Sequence, residues 1–108
     1  VISLITEHQQ EIEQLCREYG IVHLELFGSA TSGEFDPQHS DLNFIVDLGG
    51  YERGVAKRYL RFARAMEALL GGPVDLITEA QIRNPYFREA VEEQRVTVHS
   101  TRDRQTAA

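Results

Sequence analysis

Apolar positions recur along this chain in two rhythms, one of three to four residues and one of two, and the alternation between them outlines helices and strands. Over residues 6–19, Ile12, Leu15, Cys16 and Tyr19 fall at helical spacing. Thr6 and Gln9 have the spacing of a capping box, and Gly20 suits the stop. Ile21 to Phe27 (IVHLELF) is short, largely apolar and closed by Gly28-Ser29, which predicts a strand. Within it Val22, Leu24 and Leu26 share one face, and His23, Glu25 and Phe27 share the other. Residues 28–40 are rich in Gly, Ser, Asp and Pro and read as a loop with room for one helical turn. Asp41 to Leu48 (DLNFIVDL) predicts a second strand, broken by Gly49-Gly50.

The longest periodic stretch runs from Val55 to Leu70. Val55, Tyr59, Phe62, Ala63, Met66, Leu69 and Leu70 make one apolar stripe, which reads as core, and Gly71-Gly72-Pro73 ends the helix. Val74 to Thr78 (VDLIT) predicts a third strand. Asn84-Pro85 is an N-cap and first-turn pair opening a helix to about Gln94, and Val96 to Val98 a short last strand. In that helix Tyr86, Phe87 and Val91 read as core ahead of partner surface. The order helix, strand, strand, helix, strand, helix gives an α/β or α+β sheet flanked by helices. One domain over residues 1–99 is expected, with a polar tail over 100–108 that frays.

Composition narrows the classes. A chain of 108 residues with 42% hydrophobic content fits one small domain with a real core and is too apolar for disorder. No apolar run approaches a membrane span, and the start lacks the basic segment of a signal peptide, so a cytoplasmic location is expected. Cys16 is the only cysteine, which excludes an intrachain disulfide and a Cys-rich zinc site. Its place in a helical stripe marks a core thiol. A formal net charge of −6 argues against direct nucleic-acid binding, which draws on Lys and Arg against phosphates. Arg53, Lys57, Arg58, Arg61 and Arg64 do cluster. A solvated helix face is favoured there over a polyphosphate or partner surface.

Three features carry chemistry together that none carries alone. Gly28-Ser29 follows a strand, where glycine lets backbone approach a phosphate and N–H groups bind anions. Asp41 and Asn43 stand at i and i+2 of a strand and so share a face; with two acids, that geometry can hold two magnesium ions about 3.5–4 Å apart. Asp75 is an acid inside the apolar strand VDLIT, which is costly unless it is paired, metal-bound or at the strand's wet end.

In this order they resemble the polymerase-β-like nucleotidyltransferases, whose pattern is Gly-Ser, a loop, Asp-x-Asp on a strand, a helix, and an Asp on a later strand. The stretches LFGSATSGEFDPQHSDLNFIVD, PVDLIT and RNPYFREAVEEQRV look like the minimal nucleotidyltransferase (MNT) subfamily, over about residues 5–99. The resemblance implies a mixed twisted sheet with helices packed on it. It also implies transfer of a nucleoside monophosphate from ATP or another nucleoside triphosphate. By the resemblance, Gly28 and Ser29 cradle the triphosphate and the positions of Asp41, Asn43 and Asp75 hold Mg2+, with Asp75 nearest the attacking oxygen. MNT proteins often act as antitoxins beside a HEPN-domain RNase toxin, and some adenylylate a tyrosine of it. A HEPN toxin is therefore the implied partner.

Two departures bear on activity. Asn43 stands where the family has its second Asp, and an amide offers one neutral carbonyl oxygen and an NH2 that repels a metal. Weaker metal occupancy and a severe loss of transfer follow, while nucleotide binding can persist through Gly28, Ser29 and Asp41. Ser32 replaces an arginine found in many relatives. Asp47 shares the face of Asn43 but lies too far along the strand to stand in. Two readings follow: an adenylyltransferase antitoxin weakened or disabled at Asn43, and a non-catalytic module that masks a partner by contact. Transfer to a small antibiotic ranks last, because no second domain builds an acceptor pocket.

Overall fold

A computed structural model describes residues 3–28, 41–50 and 52–101. Its elements are α1 (Ser3–Glu7), α2 (Gln9–Glu18), β1 (His23–Phe27), β2 (Leu42–Asp47), α3 (Val55–Leu70), β3 (Val74–Ile77), a 3-10 turn (Glu79–Gln81), α4 (Pro85–Gln94) and β4 (Val96–Ser100). The strands form one mixed sheet in the order β3-β2-β1-β4. β1 pairs antiparallel with β2 and β4, and β2 runs parallel to β3. This is the expected α/β (α+β) class, a mixed sheet flanked by helices.

Even-numbered residues of the first three strands face the larger core. Leu24, Leu26, Leu42, Phe44, Val46 and Leu76 pack there against Ile5, Ile12 and Cys16 of α1–α2 and Phe62, Met66 and Leu70 of α3. The α3 stripe is thus core, as its spacing predicts. Cys16 is fully buried, and burial pushes its thiol pKa up to about 12. The odd-numbered residues face a smaller core, where Phe27 and Ile45 meet Ile82 and Val91. Both central strands are therefore covered on both faces.

The N-terminal segment differs from expectation. It holds two helices that meet at His8, whose amide bonds the Ile5 carbonyl while its ring Nδ1 donates to Leu4 O (2.9 Å). Thr6 lies within α1 and His8 stands at the N-cap of α2, so the predicted cap position shifts; Gln9 Nε2 donates to Val98 O (2.7 Å) and ties α2 to β4. Gly20 ends α2 as predicted. At φ +70 it lets Ile21 N reach Cys16 O (2.8 Å), the long bond of a Schellman motif. α4 begins as predicted, with the Asn84 side chain accepting from the amides of Tyr86 and Phe87. Of Tyr86, Phe87 and Val91 only Val91 is core. Tyr86 is 82% exposed and Phe87 42%, the latter resting edge-on against Phe27. β4 runs on to Ser100, and the Thr101 amide bonds Val22 O (3.0 Å), so pairing extends past the predicted strand end. No helix among the described residues is long and apolar enough to cross a membrane.

Of the five clustered cations, Arg53, Lys57, Arg61 and Arg64 are exposed, the solvated face expected. Arg58 turns inward instead. Its guanidinium donates to the carbonyls of Tyr19 (2.9 Å), Gly20 (3.2 Å), Leu48 (3.0 Å) and Gly50 (3.3 Å) and pairs with Glu52 (2.8 Å). It thus satisfies the ends of α2 and β2, a structural use of one arginine in the run.

Candidate functional site

Strand register brings the sequence-predicted residues to one end of the sheet. Asn43 pairs across β1–β2 with Phe27 and stands beside Asp75 on parallel β3. Leu42 N donates to Pro73 O (3.3 Å), which fixes where the parallel ladder starts. Asp41 directly precedes β2 and is exposed; the period of two places it on the face of Asn43. Asp75 is also exposed and has no ion-pair partner among the described residues, so it sits at the strand's wet end.

Gly28 leaves β1 at φ +86, a conformation that disfavours any side chain. A Cβ built there would lie 2.8 Å from Asn43 Nδ2. Gly28 therefore allows its backbone to pass against the Asn43 amide. Its N–H donates to Gln94 Oε1 at the end of α4 (3.1 Å). Ser29 and Ser32 lie outside the described residues. Gly28, Asn43 and Asp75 are thus brought together, with Asp41 one step along the same face.

The negative field of Asp75 reaches Tyr59. Burial first, and that carboxylate second, raise the Tyr59 pKa, and its hydroxyl donates to Leu76 O (2.7 Å). Tyr59 is thus a protonated strut between α3 and β3, not a nucleophile.

The donor set does not fit a two-ion magnesium centre. Such a centre needs a carboxylate that bridges both ions, and Asn43 offers a neutral oxygen on one side and an NH2 turned toward Gly28. No three Asp, Glu, His or Cys side chains converge on a metal position among the described residues. Two carboxylates and an amide remain, which favour the neighbourhood of a cation without enclosing one.

The same sheet face carries a second polar group that was not singled out from the sequence. Glu25 on β1 is 8% exposed, and Arg95, just after α4, grips it with two hydrogen bonds (3.0 and 2.5 Å). Arg95 also bonds Glu79 and Glu92. The hydrogen bond to Glu25, more than any other contact, holds the guanidinium firmly protonated, and that from Arg95 draws the Glu79 pKa down. A usable signal was present: a glutamate inside an apolar strand demands a cation, the reasoning that singled out Asp75. Beside this group a cavity of about 240 Å³, lined by His23, Glu25, Asp47 and Glu79, opens at the opposite end of the strands from Asn43. Asp47 lies there, with its Oδ1 accepting from Gly49 N (2.8 Å), and takes no part in the Asn43–Asp75 group.

Known proteins resemble this chain over most of its length. The nucleotidyltransferase domain family matches residues 9–98. A Methanocaldococcus jannaschii protein, provisionally named a protein adenylyltransferase, is 33% identical over 96 residues, covering 89% of this chain and 92% of the relative. A solved structure described, again provisionally, as a minimal nucleotidyltransferase superposes with a TM-score of 0.65 at 30% identity, covering 84% of this chain and 89% of that one. A complex of a tri-AMPylated Shewanella oneidensis HEPN toxin with its MNT antitoxin matches with a TM-score of 0.60 at 17% identity, over 95% of this chain and 78% of that one, a likeness of fold. With the match spanning nearly the whole sheet and its helices, this chain belongs to the nucleotidyltransferase domain family, among the minimal nucleotidyltransferases.

Proposed function

We propose that this chain is an antitoxin of the adenylyltransferase lineage. Its reaction is transfer of AMP from magnesium-bound ATP to a hydroxyl, a tyrosine's, on a cognate HEPN RNase toxin, in which the hydroxyl oxygen bonds the α-phosphorus and pyrophosphate leaves, and Asn43 weakens or abolishes that transfer. The observation that carries the reading is the placement of Asn43 in register with Asp75 and against the Cα of Gly28. Family membership supports nucleotidyl transfer, and the names of the relatives support a protein acceptor and a HEPN partner. Gly28 and Ser29 are the residues for the triphosphate, and Asp41, Asn43 and Asp75 the catalytic and metal-facing positions. ATP and an RNase toxin meet in the cytoplasm, which is where this role belongs.

In this reading Gly28 lets the chain turn close to a phosphate without a side chain in the way. Asp75, exposed and without an ion-pair partner among the described residues, is free to accept a proton from an incoming hydroxyl. Asn43 keeps the shape of an aspartate and loses its charge, so substrate can seat while the reaction stalls. The mismatch with a two-ion centre also favours a second reading, a module that neutralises the toxin by contact alone.

The test uses the chain and its Asn43→Asp variant with α-labelled ATP, magnesium and the HEPN protein. Label on the partner only with Asn43→Asp identifies position 43 as the single lesion in a competent transferase. Label with both means Asp41 and Asp75 suffice. Label with neither, in a stable complex, selects the contact-only reading.

A further inference from the structure

Gln94 is the last residue of α4 and joins that helix to the glycine turn by a side-chain hydrogen bond. Its Oε1 accepts from Gly28 N at 3.1 Å across 66 residues of sequence. The direction of an N–H fixes the peptide plane to which it belongs. Once the Phe27–Gly28 plane is set, φ +86 at Gly28 decides how the chain leaves β1 and how closely Gly28 Cα passes Asn43.

Gln94 is itself held. The next residue, Arg95, bonds both oxygens of Glu25 on β1, the strand that leads into Gly28. Val91, one turn earlier, is buried against Phe27, and Phe87 lies edge-on to the same ring with centroids 6.0 Å apart. The end of α4 is thus fixed on β1 on either side of the Gln94 amide. The acceptor is also neutral, so it orients the turn without setting an anion beside a phosphate.

We infer that Gln94 is a positioning residue for the Gly28 turn: its side-chain carbonyl presets the backbone geometry that receives the triphosphate. This rests on the nucleotide reading above. It predicts that loss of the acceptor loosens the turn and weakens ATP binding while the fold persists.

Gln94→Met keeps the length and packing of the side chain and removes the acceptor; Gln94→Glu keeps an acceptor. Amide hydrogen exchange at Gly28 and titration with magnesium-bound ATP are measured on each. In Gln94→Met, Gly28 exchange should accelerate about tenfold and the ATP Kd rise about fivefold, the loss of one ordinary hydrogen bond. The melting temperature should fall by no more than about 4–8 °C, the shift that loss of one such bond makes in a domain of this size. Gln94→Glu should restore protection at Gly28. Unchanged Gly28 exchange in Gln94→Met overturns the inference even where ATP binds the parent chain. Loss of protection along all of β1 and α4 overturns it too, by showing a packing role. A parent chain that does not bind ATP overturns the nucleotide reading, and the positioning role with it.

Discussion

At the scale of single residues, the site depends on atoms that are missing as much as on those present. Gly28 has no Cβ, and Asn43 has no second oxygen. A Gly28→Ala change meets a positive φ and a contact of 2.8 Å with Asn43 Nδ2 together. It should cost on the order of 1–3 kcal/mol in urea denaturation. It should also weaken ATP binding more than any exposed substitution on α3, because Asn43 must move to make room. The Asn43→Asp test is the converse, restoring an atom without altering shape. Asp41 and Asn43 were legible in the sequence because strand alternation puts i and i+2 on one face, Gly28 because a glycine closes a strand there, and Asp75 because an acid inside an apolar strand is costly. Gln94 was not legible, because nothing local distinguishes a glutamine that accepts a bond from 66 residues away.

At the scale of elements, α4 makes the smaller face of the sheet usable. Its N-terminus is capped by Asn84, whose side chain accepts from two otherwise unpaired amides. Asn84→Ala should lower stability by about 1 kcal/mol, read as a shift in the denaturation midpoint with unchanged slope. Its other end is held by Arg95 on Glu25, with side chains 16% and 11% exposed. Arg95→Ala takes the guanidinium from a buried carboxylate that keeps His23 Nε2 at 3.2 Å, and should cost about 3 kcal/mol. The same bond network sets a pH response. Glu79 has its folded pKa lowered, chiefly by Arg95, so its contribution is present above its unfolded value of 4.5 and is lost as pH falls through the folded value. Denaturation midpoints should therefore drop on acidification, and less steeply in Arg95→Ala. The cap of α4 was plain from Asn84-Pro85. The break at His8 was not, because Gln9 answers to β4 and not to its own helix.

At the scale of the whole molecule, the larger core closes over Cys16. Its pKa rises from 9.0 to about 12 because burial disfavours the thiolate. A raised folded pKa for an acid means its stabilising share is complete below pH 9 and lost as pH climbs toward 12. Stability should therefore decline over that alkaline window, and a thiol reagent at pH 8 should modify Cys16 only at the rate of global unfolding. The net charge of −6 adds a constraint on partners, favouring a basic surface and long-range attraction that salt screens.

What the sequence by itself determined is local or periodic: most of the elements, the apolar stripe of α3, the caps at Gly20 and Asn84, and the shared face of Asp41 and Asn43. These follow from dihedral preferences and from side-chain spacing within a few residues. Tertiary structure alone decided that Asp75 stands beside Asn43, that Arg95 neutralises Glu25, that Arg58 ties two chain turns, and that Gln94 holds Gly28. Each of these joins segments whose meeting depends on strand order and helix docking, which the whole chain settles through burial and charge pairing and no short stretch encodes.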